Sequence, residues 1–338
     1  MSGPLPRVAR IAGLTLLPLV LMYGSLFIGR FDVEPAQVHR VLASLVWPVE
    51  ADWPASVQAI LLQIRLPRAV LALAVGAGLA ISGAAYQGLF RNPLVSPDVL
   101  GATAAAGFGA ALALLASRGA LEMQAIAFVF GLAGVLLTWL LARSHRTTSI
   151  LMLVLSGVIV AAFFTALLGA AKYLADPESR LPAITYWLLG SLNGASWRSL
   201  ALVMPPMVLG TLLLFALRWP LNVLAMGDEE ARALGGRTEF VKGLTILATT
   251  LITAAAVSAC GIVGWIGLVV PHLARMLTGP DHRRLLPAAL SLGASYLLVM
   301  DTLARSLTPG EIPIGILTAI LGAPFCAWLL RRVRGGWE

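Results

Sequence analysis

Ten long apolar stretches alternate with short polar breaks along this 338-residue chain. They run near 8–29, 69–89, 99–117, 124–142, 149–171, 198–217, 243–259, 262–278, 285–306 and 313–331. Most approach the ~20 residues that carry a helix across a bilayer. The break around Gly261 and Gly264, between the seventh and eighth stretches, is the shortest. The pattern predicts an all-α polytopic membrane protein, with ten transmembrane helices in one domain spanning residues 1–338. The first stretch, "IAGLTLLPLVLMYGSLFIG" after Arg7 and Arg10, has the charge layout of a secretory leader. Its apolar run is too long for one and lacks a small-residue cleavage site, so it is read as the first span.

Inside the second stretch, Ala72, Gly76, Ala80, Ala84 and Gly88 recur every fourth residue. That spacing lines one face of a helix with small side chains, which lets helix backbones approach closely in lipid. The stripe predicts a helix deep in the bundle, by packing alone or beside a translocation path. It leads directly into "RNPLVSPDVLG", residues 91–101, where Pro93 and Pro97 stop the helix and stiffen the turn. Asn92 and Asp98 are placed to bond freed backbone groups there, and Asp98 to cap the next helix. A connector needs little such rigidity; a gate at one mouth of the bundle does.

The longest internal polar break, "RWPLNVLAMGDEEARALGGRTEFVKG", fills residues of about 219–242 between the sixth and seventh stretches. Asp228, Glu229 and Glu230 crowd the start of a short helical pattern, and Gly235–Gly236 close it. Such a helix cannot span a bilayer. It is either a solvated loop helix or a docking element in which Ala231, Leu234 and the acidic turn meet another protein.

Composition agrees with the pattern: hydrophobic residues make up 59% and charged residues only 12%, which overrides the two soluble domains that length alone suggests. The net charge of +8 raises nucleic acid as a partner. The positive residues are scattered over helix rims instead of forming one patch, which excludes that reading. With both termini inside, fifteen of the 24 Lys and Arg fall on inner segments, as the positive-inside rule requires. Arg65 and Arg68 fall on the outer side against that rule and need their own explanation.

Individual polar residues within the apolar stretches come next. Asp301 lies inside the ninth stretch with Arg305 one turn later, an i,i+4 pair that reduces the cost of an intramembrane carboxylate. Asp301 is read as a structural anchor holding Arg305, with proton relay as the alternative. "GLVVPHLAR" places Pro271 as a bend in the eighth stretch, with His272 read as a packing residue beside it. His39, His145 and His282 fall in separate loops without metal-site spacing, so no metal is expected. Cys260 and Cys326 are read as two buried thiols. The only lysines, Lys172 and Lys242, precede Tyr173 and Gly243, so no G-K-[ST] nucleotide loop exists in the chain. Nor is there an H-E-x-x-H or G-x-S-x-G set for an intramembrane enzyme.

In order along the chain, "RLPRAVLALAVGAGLAISGAAYQGLFRNPLVSPDVLGA", "GDEEARALGG", "GIVGWIGLVVPHLARMLTGPDHRRLLP", "DTLARSL" and "EIPIGILTAILGAPF" closely resemble the FecCD-type permeases of ATP-binding-cassette importers. The likeness runs from about residue 60 to 333. It implies the type II importer permease fold, a dimer (a homodimer is expected), two cytoplasmic ATPases that hold ATP and magnesium, and a periplasmic binding protein. The permease itself is not an enzyme and binds no cofactor. The location implied is the bacterial inner membrane, with both termini cytoplasmic and lipid around the bundle.

By the same resemblance, Arg65, Arg68 and Arg305 form the outer patch that docks the binding protein's glutamates, which accounts for positive charge on the wrong side. Asn92, Pro93 and Leu94 match a cytoplasmic gate element; Thr147, Thr148 and Ser149 match a second. Asp228 to Gly235 correspond to the coupling helices seated in the ATPase. The implied cargo is a ferric-siderophore complex, with haem, cobalamin or molybdate as alternatives. "VSPD" stands where many relatives have A-[DE]-P, and "GATAAAG" replaces a more polar stretch. A rival class is an ion-gradient carrier with Asp301 as its coupling carboxylate.

Overall fold

The computed structural model describes residues 7–144, 147–308 and 310–333. In chain order the helices are α1 (Arg7–Ser25), α2 (Pro35–Ala43), α3 (Ala55–Ala59), α4 (Leu66–Leu89), α5 (Ala102–Leu115), α6 (Ala120–Ala142), α7 (Ile150–Leu174) and α8 (Arg180–Leu188). They continue as α9 (Trp197–Ala216), α10 (Arg218–Met226), α11 (Asp228–Ala233), α12 (Thr238–Cys260), α13 (Ile266–Thr278), α14 (His282–Ser306) and α15 (Ile314–Val333). A wide π-helical turn, Ile60–Arg65, joins α3 to α4 without a break. A single antiparallel pair, Arg143–Ser144 with Thr147–Thr148, is the only sheet among the described residues.

Every apolar stretch of the sequence has its helix. Among the described residues, six helical runs are long and apolar enough to cross a membrane, and four shorter apolar helices, within α1, α5, α13 and α15, occupy the remaining stretches. The short break resolves cleanly: α12 ends at Cys260 and α13 begins at Ile266. α13 continues through Pro271, which is buried within it. The short helices α2, α3, α8 and α10 were not legible in the apolar pattern, because none is long enough to print a full amphipathic stripe.

α4, α12 and α14 form the buried centre, while α6, α7 and α9 turn most of their side chains outward. Those outward residues are apolar, among them Val129, Leu136, Val158, Ile159, Phe163 and Leu212, as a lipid-facing surface requires. The small-residue stripe of α4 is the contact face for α14. A Cβ on Gly76 would overlap the Gly293 carbonyl, and one on Gly293 would overlap Gly76 in turn, so the two backbones touch there. Gly88 faces His282 at one end, and Arg68 meets Asp301 at the other. These three contacts set α4 and α14 antiparallel along their whole length. The packing reading of the stripe is the one the contacts support.

Cys260 and Cys326 are free and buried, as expected. Asp98 does not cap α5: that helix starts after Gly101 with no side-chain cap. Instead Asp98 sits in the first turn of a short 3-10 helix, Pro97–Leu100.

Candidate functional site

The bundle has two chemically active ends. At the first, α4 emerges from its wide turn carrying Arg65 and Arg68. The Arg68 guanidinium donates through Nε to Asp301 at 2.9 and 3.1 Å, and through Nη1 and Nη2 to Glu311 at 3.1 and 3.0 Å. Nη1 also reaches Asn193 Oδ1 at 2.7 Å. All five donors of a guanidinium point in one plane, so this arrangement suits arginine and not lysine. Arg65 donates to the Leu26 carbonyl at 2.6 Å and to that of Phe31, over the small core of Leu26, Val33, Val38, Val41, Trp53, Val57 and Leu61. Arg305 donates to the Ser25 carbonyl at 2.7 Å and lies 3.7 Å from Asp301.

Two expectations change here. Asp301, only 1% exposed, has Arg68 and not Arg305 as its nearer partner. Arg65, Arg68 and Arg305 are not displayed as an open patch: all three are buried and bound internally. Carbonyls and carboxylates hold Arg65 and Arg68, and the Ser25 carbonyl holds Arg305, whose Nε is buried without a hydrogen bond; a guanidinium left dry and wholly unpaired would cost several kcal/mol. What remains open is a recess of about 200 Å³ lined by Arg30, Ile64, Arg65, Arg68, Arg305 and Glu311. Sequence reading missed Glu311 and Asn193, which stand 243 and 125 positions from Arg68.

At the opposite end, the turn after α4 hangs from the helix's last carbonyls. Arg91 N donates to Gly88 O at 3.3 Å and Asn92 N to Gln87 O at 3.2 Å. The Asn92 side chain accepts from Leu94 N at 2.9 Å, which closes the turn locally, and Pro93 and Leu94 are exposed at its tip. α11 begins with Asp228, Glu229 and Glu230 and ends where Gly235 takes a φ of +77°. Gly236 N then bonds back to Ala231 O at 2.8 Å, the 6→1 bond of a glycine helix stop.

The acidic residues split in role. Asp228 bonds the ammonium of Lys242, a residue 2% exposed, and Glu239 holds the same ammonium at 3.2 Å. Glu229, Glu230 and Leu234 are exposed, whereas Ala231 is buried against the bundle. Ala231 therefore seats α11 instead of facing outward.

A recess of about 540 Å³ joins these parts: Arg91 from the first turn, Ser149 from the second, and Asp228, Glu229 and Glu230 of α11. The backbones of Thr147 and Thr148 belong to the two-stranded pair; their side chains lie outside the described residues. The structure thus brings Arg91, next to the first expected gate segment, Ser149 of the second, and the expected coupling helix to one hollow. The sequence pattern of the FecCD transport family matches residues 16–332.

The chain belongs to the FecCD transport family. It is 39% identical over 324 residues to the molybdate import system permease protein MolB of Haemophilus influenzae, covering 96% of each chain. It is 42% identical over 280 residues to an iron chelatin transport system permease protein of Helicobacter pylori, covering 83% of this chain and 85% of that one. A solved inward-facing chain assigned to the metal-chelate type of ABC transporter superposes with a TM-score of 0.85 at 37% identity, covering 96% and 99%. This FecCD protein is therefore the permease of an ABC importer, a transport subunit in a multi-span membrane family.

Within this FecCD permease, His272 is half-buried with its ring 6.4 Å from that of Phe325, and Pro271 is buried within α13. Among the described residues, no three His, Cys, Asp or Glu side chains gather to hold a metal ion.

Proposed function

We propose that this permease moves a ferric-siderophore-type iron complex from periplasm to cytoplasm across the bacterial inner membrane. In this reading ten helices cross the bilayer, both termini are cytoplasmic, and a second copy of the chain completes the path. Two cytoplasmic ATPase subunits carry the ATP and magnesium, and a periplasmic binding protein delivers the cargo. The single observation behind it is the recess shared by Arg91, Ser149 and the acidic start of α11. A rigid-body movement of α11 there is transmitted to both gate segments, as switching between access states requires.

The outer recess beside Arg65, Arg68 and Arg305 is the place where carboxylates of the binding protein enter. Charge complementarity at such a site chiefly sets encounter rate and register. Iron chelate is favoured as cargo by the Helicobacter pylori relative and the metal-chelate type structure. Molybdate is the second reading, because the likeness to MolB runs over almost the whole of both chains.

The test is uptake into proteoliposomes holding the permease, its ATPase and its binding protein. ATP-dependent accumulation of iron-55 presented as a ferric siderophore, with none of labelled molybdate, is the expected result. Accumulation of molybdate alone overturns the iron reading, and accumulation without ATP overturns the importer reading.

A further inference from the structure

Between the coupling helix and the first gate turn lies a polar contact that neither segment accounts for. Asn222 sits on α10, which runs into α11 with Gly227 alone between them. Its side-chain oxygen accepts from the His282 backbone N–H and lies on His282 Nδ1, both at 2.8 Å. Its amide nitrogen donates to Asp281 Oδ1 at 2.6 Å, and the same carboxylate oxygen accepts from Arg283 N at 3.0 Å to cap α14. The Arg283 N–H and the Asn222 amide hold the Asp281 carboxyl below the usual carboxylate range, so it is a standing acceptor. Both ends of the Asn222 amide are thereby committed to the first turn of α14.

The His282 ring continues the contact. It is 4% exposed and stands against the last turn of α4, where a Cβ on Gly88 would lie 2.5 Å from Nε2 and 2.8 Å from Cε1. Only a residue without a side chain fits there. Gly88 in turn carries the gate turn, since its carbonyl and that of Gln87 accept from Arg91 and Asn92. The chain of linked groups is continuous: α11, Gly227, α10, Asn222, His282, Gly88, Arg91, Asn92.

We infer that Asn222 and His282 are positioning residues that form a strut, carrying displacement of the coupling helix to the Asn92–Leu94 gate turn. The inference rests on the proposed roles of α11 and of that turn. A close-packed interior passes displacement on because it has no slack to absorb it. An amide bonded at both ends, pressing a buried ring against a bare backbone, supplies such a contact with a fixed direction.

The experiment uses the permease assembled with its ATPase subunits in liposomes, with a Leu94→Cys reporter. Leu94 is exposed, whereas Cys260 and Cys326 are buried, so maleimide reports on the turn. Trapping with ATP and vanadate is expected to change the labelling rate several-fold. Asn222→Ala should lose most of that change, with the ATPase still co-purifying.

His282→Asn keeps a donor for Asn222 but removes the ring from Gly88, and should lose it equally. Val223→Ala, the next residue on α10, should keep it. A full response in both Asn222→Ala and His282→Asn overturns the strut and leaves the gate reading intact. No response in the parent reporter overturns the gate reading, and the strut with it. Asn222 is only half-buried, so Asn222→Ser serves where the alanine variant fails to assemble, with the same loss expected and the same full response overturning the strut.

Discussion

Arg68 and Lys242 are both almost fully buried, at opposite ends of the bundle, yet their surroundings differ in kind. Arg68 is closed in by Asp301 at 1% exposure and Glu311 at 17%, on helices and loops remote in sequence. Lys242 is held by Asp228 and Glu239, near in sequence and each about a third exposed. Burying ions costs several kcal/mol each unless partners and geometry compensate, whereas exposed pairs contribute about 0–1 kcal/mol. The first site therefore fixes the register of α4 against α14. The second ties a surface helix to the bundle through partly exposed carboxylates, beside an open acidic hollow.

Breaking the first site should have the largest effect. Asp301→Ala leaves Arg68 and Arg305 buried without their nearest carboxylate, and should cost about 3–5 kcal/mol. Thermal unfolding in detergent should show a large drop in midpoint, and monodisperse yield should fall. Pairing Arg68→Met with Asp301→Leu removes both charges, and should restore most of the loss. A single variant with unchanged midpoint would mean that the glycine contacts, and not the ions, hold α4 to α14.

The second site should respond more gently. Asp228→Asn leaves Lys242 with Glu239 and removes one charge-assisted hydrogen bond, worth about 1.5–3 kcal/mol when dry and less here because Asp228 is partly wet. Hydrogen exchange across residues 219–242 should quicken while the bundle midpoint barely moves. An equal fall in both would show that α11 is part of the core and cannot act as a separate moving piece.

How the two sites could be read beforehand differs for the same reason. The α11 cluster is local: acidic residues from Asp228 at one end and Gly235–Gly236 at the other, all within one short segment. Its helix, its stop and its exposed Glu229, Glu230 and Leu234 follow from the order of residues alone. The Arg68 site joins positions 233 and 243 apart, and no periodicity in one sequence pairs them. The local Asp301–Arg305 spacing was legible and drew attention to the weaker partner. The apolar stretches were legible because each meets lipid or core along its whole length. Asn222 was not, since a single amide inside "RWPLNVLAM" carries no periodic signal.

The smallest effect on stability separates surface from scaffold most sharply. Glu229 and Glu230 are exposed at the rim of the hollow, so replacing both with Lys should change the unfolding midpoint by no more than about 0.5 kcal/mol equivalent per site. The same change reverses the sign of the surface proposed to meet the ATPase, and electrostatic encounter is steep in charge and screened by salt. Co-purification of the ATPase should fall at low ionic strength and recover partly with added salt. If assembly and ATP-driven uptake both persist, the acidic turn is a solvated face, and contact with the partner has to be carried by Leu234 and the rest of α11.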